Sequence, residues 1–276
     1  MKKAGPIILM VAPVAIILIG LFLMPQFYLF RQSISLPPPV GIDTYLQFFS
    51  ERFYLDMLGR TFLVAGLVTL ICILCGFPLA LWLARIETRF VPLLLLITTF
   101  PLLVSAVVRS FAWMVLFFRN GLLSQTMAAT GLVSPGFQFM GTTAGVVIAL
   151  GQVMLPLMII TLYSVLRTID RDLENAAMNL GASPWSTTWL VIVPQMKGGI
   201  LAGSLLVFSL SVGAFATPSL IGGSRVNMMA IGIQEQALEL FDWPFAAAMA
   251  MILLAAALII AVVYGRIISE QSHEPR

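Results

Sequence analysis

LENAAMNLGASPWSTTWLVIVP, residues 173–194, is a polar, glycine-punctuated stretch between two long apolar runs. Asp170 is placed to cap a helix over residues 171–180. Asp172 and Glu174 fall in its first turn, where the helix dipole favours anions. Small Ala176 and Ala177 sit mid-helix and leave one face open to close approach. Gly181, followed by Ala182, suits a C-terminal stop because glycine tolerates positive φ. Ser183 then caps a second helix with Pro184 at its first position. Trp185, Trp189 and Ile192 recur at helical spacing and predict an apolar stripe. Pro194 lacks an N–H donor and predicts the end of that helix. The residues alone leave two readings open. One is an amphipathic hairpin lying in the membrane interface; the other is a knob gripped by a second protein.

The surroundings of this stretch follow from composition. Of 276 residues, 60% are hydrophobic and 10% charged, and the mean hydropathy is +1.02. A soluble domain carries about 25% charged residues, so the chain belongs in a lipid bilayer. A net charge of +3, widely dispersed, does not suit a nucleic-acid partner. The single histidine, His273, excludes a histidine cluster for metal or catalysis. Cys72 and Cys75 form C-x-x-C inside an apolar segment with no second ligand pair. Both are expected to be buried thiols acting as small apolar side chains.

A crossing helix needs about 20 apolar residues, and six segments qualify: 6–30, 61–84, 92–118, 141–166, 199–222 and 244–265. The first is too long for a signal peptide and has no small-residue cleavage site, so it reads as a retained span. With the N-terminus inside, Lys2, Lys3, Arg85, Arg89, Arg167, Arg171, Lys197, Arg266 and Arg276 lie on the cytoplasmic side. Arg31, Arg52, Arg60, Arg119 and Arg225 lie outside. This bias places both termini and the 173–194 loop in the cytoplasm. Trp82, Trp113 and Trp243 fall near span ends, as interfacial anchors do. The outer segments carry Pro37, Pro38 and Pro39, an amphipathic helix near 44–53, the Gly121/Gly131/Pro135/Gly136 segment and a helical stretch over 229–240. No internal repeat appears, and residues 1–276 read as one transmembrane domain.

The loop resembles the EAA loop of importer-type ABC permeases. That pattern is Glu-Ala-Ala, three residues, Gly, nine residues, then Ile-x-Leu-Pro. Its positions match Asn175, Ala176, Ala177, Gly181, Val191, Val193 and Pro194 with the spacing kept throughout. Asn175 stands where the pattern has Glu, and Glu174 precedes it, ~100° round the helix. VRSFAWMVLF (108–117), FSLSVGAFATPSLIGG (208–223) and the 233–247 stretch with Asp242-Trp243-Pro244 resemble the spermidine/putrescine permease group over residues 54–265. The resemblance implies an all-α membrane protein of six transmembrane helices, an importer-type ABC permease fold with cytoplasmic coupling helices over 170–194. Glu174, Asn175, Ala176, Ala177, Gly181, Ala182, Ser183 and Pro194 would then contact an ATPase. It further implies a second homologous permease, two copies of the ATPase carrying ATP and Mg, and a periplasmic solute-binding protein, in a bacterial inner membrane. The cargo implied is a polyamine such as spermidine or putrescine, with opine, amino-acid-like and phosphonate solutes as alternatives.

Several polar residues lie inside the spans. Arg109 reads as a pathway or gate residue, or as a cation snorkelling to outer headgroups. A polyamine would not be attracted to it. Gln152, with Gly151 before it and Pro156 one turn on, either lines a cavity or bonds a neighbouring helix. Ser209, Ser211, Gly213, Thr217 and Pro218 either pack helices closely or line the pathway, with Phe215 as a plug. No Asp or Glu lies inside the six spans, which disfavours an ATP-independent secondary transporter or channel. The capped loop disfavours that class and a structural or sensor protein alike. No G-x-x-x-x-G-K-[ST] occurs, so the chain is expected to hydrolyse no ATP and to be no enzyme on its own, with no cofactor bound.

Overall fold

Inside hydrocarbon a backbone must satisfy its own polar groups, and a helix does this within one segment. The computed structural model describes residues 4–34, 42–119, 121–131, 134 and 136–271. Pro37, Pro38, Pro39, Pro135, Lys2, Lys3, His273 and Arg276 lie outside the described residues. Among the described residues every regular element is helical. In order these are α1 (Ala4–Ile34), α2 (Asp43–Ser50), α3 (Arg52–Arg85), α4 (Val91–Leu103), α5 (Ala106–Phe117), α6 (Leu122–Ala129) and α7 (Thr143–Leu166). Then follow α8 (Arg171–Asn179), α9 (Pro184–Thr187), α10 (Val193–Gln195), α11 (Lys197–Val212), α12 (Ala216–Gly222), α13 (Met229–Gln234) and α14 (Trp243–Gln271). A π turn, Thr188–Ile192, joins α9 to α10, and another, Glu235–Glu239, follows α13.

Among the described residues five stretches are long and apolar enough to cross a bilayer: Ile17–Ile34, Arg52–Arg85, Ala106–Ala129, Thr143–Leu166 and Trp243–Arg266. A sixth is a bent pair, Pro184–Gln195 with Lys197–Val212, at 69°. Two expectations are corrected. The segment 92–118 is not one helix, because α4 ends at Leu103 and α5 starts at Ala106. Pro101 lies in the last turn of α4, and its missing donor and bulky ring weaken the ladder there. The segment 199–222 likewise divides into α11 and α12, with Gly213 capping α11 and Pro218 tolerated in the first turn of α12.

The chain divides into two compact units, Met1–Asp56 with Gly232–Ala256, and Met57–Ile231 with Ala257–Arg276. In the first, Thr44 Oγ1 donates to the Ser33 carbonyl at 2.9 Å, and the Ser33 and Tyr45 hydroxyls meet at 2.7 Å. These bonds hold α2 against the end of α1. Phe48 is fully buried and stacks on Tyr54, which meets Phe245 edge-on at 4.9 Å. Asp242 caps α14 by accepting from the Phe245 amide at 3.0 Å.

The second unit is built around α7, which packs against α4, α5, α11 and α12. Val146, Leu150, Met158, Leu162 and Leu166 are buried along it at helical spacing and join Val64, Val68 and Cys72 of α3 in one core. Cys72 lies in the buried row with Gly76, Ala80 and Ala84, at four-residue steps. Cys75 falls off the edge of that row and is exposed, which corrects the expectation of two buried thiols. Where α7 meets α11, a Cβ on Gly199 would stand 3.0 Å from Val165 Cγ2, whereas one on Gly198 would meet nothing.

That asymmetry sets a test. Gly199→Leu must push a stiff, β-branched neighbour, and overpacking costs about 1–3 kcal/mol. Gly198→Ala is expected to be neutral or stabilising. Thermal unfolding in detergent should separate the two; equal midpoints would contradict the close approach of α7 and α11.

Candidate functional site

The 173–194 loop takes its shape from three caps. The Asp170 carboxylate accepts from the Asp172 amide at 3.0 Å and starts α8. At the other end Gly181 donates to the Met178 carbonyl (2.9 Å) and Ala182 to the Ala177 carbonyl (3.1 Å). This is the Schellman pair of bonds, and it needs a residue of positive φ; Gly181 has φ +92°. Ser183 Oγ accepts from the Ser186 amide at 3.2 Å, with Pro184 in the first turn of α9.

Pro194 does not end the second helix as its missing donor predicts. The chain runs on to Gln195, and the 69° bend falls at Met196. The π turn over Thr188–Ile192 lets Val193 donate five residues back, to Thr188, so the ladder is already loosened where Pro194 enters it. The same widening breaks the predicted stripe. Trp185 and Trp189 stay exposed and meet edge-on at 5.6 Å, while Ile192 turns into the core.

Two ion pairs fasten α8 to the end of α3. Arg85 pairs with Glu174, both side chains largely buried. Arg171 pairs with Glu87 and also donates to the Ala84 and Arg85 carbonyls at 3.3 Å each. Removing one partner of a buried pair strands the other charge, at a cost of roughly 3–5 kcal/mol; the exposed pair contributes at most about 1 kcal/mol. In the sequence Arg85 and Arg171 stand out only as topology signals, and neither tether is apparent from them. The signal was available in Glu87 and Glu174, the acids beside those span ends.

Glu174 therefore faces its own chain, whereas Asn175 and Ala176 are exposed and Ala177 and Ala182 partly so. Leu180 is 90% exposed and Trp185 and Leu190 are each 73% exposed. Gly181, Ser183 and Pro194 are exposed as well. Each large apolar side chain left outside offers about 1.5–3 kcal/mol to whatever buries it.

The intramembrane candidates are committed within the chain. Arg109 on α5 reaches back to the Pro101 carbonyl and, at 3.3 Å, the Val104 carbonyl. It thus closes the open end of α4, and its Nε stays buried without an acceptor. Gln152 accepts from Trp113 Nε1 at 3.3 Å, so Trp113 turns inward instead of anchoring at the interface. Ser211 Oγ donates to the Val207 carbonyl at 2.7 Å. Ser110 donates to Thr217 Oγ1 at 3.3 Å, which joins α5 to α12 beside buried Pro218. Phe215 begins α12 in the break after α11 and is partly exposed.

The sequence family described as "Binding-protein-dependent transport system inner membrane component" matches residues 6–270. The spermidine/putrescine transport system permease protein PotB of Haemophilus influenzae is 30% identical over 228 residues, 83% of this chain and 79% of that protein. PotB of Escherichia coli is 31% identical over 225 residues, 82% of each. The molybdenum transport system permease protein ModB of Mycobacterium tuberculosis is 37% identical over 161 residues, 58% of this chain and 59% of that one. A bacterial ABC transporter that imports alginate superposes with TM-score 0.77 at 15% identity, covering 98% of this chain and 96% of that chain. The alginate transporter in complex with its alginate-bound periplasmic protein gives 0.75 at 17% identity, covering 95% and 93%. At such identity the likeness is one of fold, the importer-type ABC permease fold.

Gly181→Val forces a β-branched residue into the left-handed region, at a cost on the order of 1–3 kcal/mol. Limited proteolysis should show faster cleavage within residues 171–196 while membrane insertion is unchanged. An unaltered cleavage pattern would mean that the turn does not depend on its φ.

Proposed function

We propose that this chain, which belongs to the binding-protein-dependent transport system inner membrane component family, is the permease subunit of an ATP-driven importer of polyamines such as spermidine or putrescine. The observation that carries the importer reading is the capped loop with four exposed large apolar side chains, Leu180, Trp185, Trp189 and Leu190. The cargo rests on likeness to the two PotB proteins over more than four fifths of the chain. In this reading both termini and the loop are cytoplasmic. Two ATPase copies bearing ATP and Mg dock below, a second homologous permease lies alongside, and a periplasmic solute-binding protein docks above.

The chain's own residues transmit the work. An ATPase seated on Asn175, Ala176, Leu180 and Trp185 displaces α8. The Glu174–Arg85 and Arg171–Glu87 pairs carry that displacement to α3, and α10 carries it across the bend at Met196 to α11. A partner shifts the balance of two states only through contacts that differ between them, and the loop is where such contacts are made. Arg109 serves the α4–α5 break in this scheme, which agrees with a cationic cargo that it would repel.

Uptake of labelled spermidine by cells carrying the full transporter is expected to stop on ATP depletion, and the solubilised chain should copurify with an ATPase. Asn175→Glu restores the residue of the family pattern at an exposed position and should keep uptake within about twofold. Uptake that survives ATP depletion, with no ATPase in the purified material, would sink the reading. A dead Asn175→Glu variant would mean that the loop docks through another face.

A further inference from the structure

The end of α3, the end of α7 and the start of α8 enclose a polar pocket of about 260 Å³, lined by Ala84, Arg85, Arg167, Ile169 and Arg171. Three guanidiniums round one hollow repel each other unless anions lie among them. Two of the three are matched: Arg85 by Glu174, and Arg171 by Glu87. Arg167 makes no ion pair among the described residues. In addition, Arg85 Nε is buried and has no hydrogen-bond partner. The pocket thus holds one cation in excess. Placement at a helix C-terminus explains Arg85 and Arg167 but not Arg171, which opens α8. It does not explain a buried guanidinium nitrogen with no acceptor.

The level of the pocket narrows the choice of anion. Trp82 lies one turn before Arg85 on α3 and is half exposed, as an indole at the headgroup boundary is. The pocket therefore sits at the depth of lipid phosphates. A planar guanidinium fork matches phosphate geometry, and charge-assisted bonds are the stronger ones. Basic hollows between spans on the cytoplasmic side suit anionic lipid heads.

We propose that this pocket takes the phosphate of an anionic phospholipid of the cytoplasmic leaflet, with the Arg167 guanidinium donating to its oxygens. The choice of leaflet rests on the orientation proposed above. A lipid phosphate there ties together α3, α7 and α8, the elements that carry motion from the loop into the spans. Anionic lipid becomes part of the coupling joint.

The test uses the full chain, purified in detergent with equal phosphatidylglycerol and phosphatidylcholine, and reads retained lipid by native mass spectrometry. Phosphatidylglycerol should be retained several-fold over phosphatidylcholine. Arg167→Gln should reduce that preference about fivefold, since a basic residue near a membrane surface is worth roughly 1 kcal/mol. Arg167→Lys keeps the charge without the fork and should fall between. Arg89→Gln removes a cation that stacks over Phe90 outside the pocket and should change nothing. Equal retention of both lipids would overturn the proposal, as would an undiminished preference in folded Arg167→Gln or an equal loss in Arg89→Gln. Displacement of the lipid by millimolar inorganic phosphate would assign the site to a soluble anion instead. Retention is measured without ATP. Lipid preference with ATP-independent uptake would therefore sink the transport reading alone, and ATP-driven uptake without lipid preference would sink the pocket alone.

Discussion

Backbone amides and carbonyls inside hydrocarbon have no water to bond, and this governs where the chain can stop being helical. It stops inside two of its apolar segments, after Leu103 and after Val212. Each break is closed by groups close by. The Arg109 guanidinium takes the Pro101 and Val104 carbonyls. The Gly213 amide returns to Ser209, and Ala214 to Ser211. The Ser110–Thr217 bond then ties the helix that follows one break to the helix that follows the other. The Arg109 side chain is thus accounted for by the discontinuity it closes.

The loop over residues 173–194 solves a different problem. Short helices in water are marginal without tertiary support, and α8 and α9 bury few of their own side chains. Caps at Asp170, Gly181 and Ser183 supply part of what packing does not. The ion pairs to α3 supply another part and give the loop a mechanical connection to a crossing helix. A loop held only by its caps would absorb displacement in its hinges. One clamped at Arg85 and Arg171 stays tied to the end of α3.

Much of this was readable in the chain. The six apolar runs follow from residue type alone, because lipid selects long apolar helices. The loop's caps follow as well, since Asp170, Gly181, Ser183 and Pro184 act on backbone within three residues of themselves. The breaks were harder to place. Pro101, Pro156 and Pro218 all stand in apolar runs, yet α7 continues through Pro156. Whether a span breaks near a proline depends also on what can take up the carbonyls left open where the helix ends, and Arg109 takes those of Pro101 and Val104.

Sequence by itself determined the solvent of this protein, its helical class and the local geometry of its loop, because composition and short-range capping act without reference to distant residues. Tertiary structure alone decided which charges meet. Arg85 and Glu174 are 89 residues apart, Trp113 and Gln152 are 39 apart, and Ser110 and Thr217 are 107 apart. No periodicity or motif encodes such pairs, since they form only after packing of the helices brings their faces together. The same packing turned Glu174 inward and left Asn175 outward, where the family pattern has Glu.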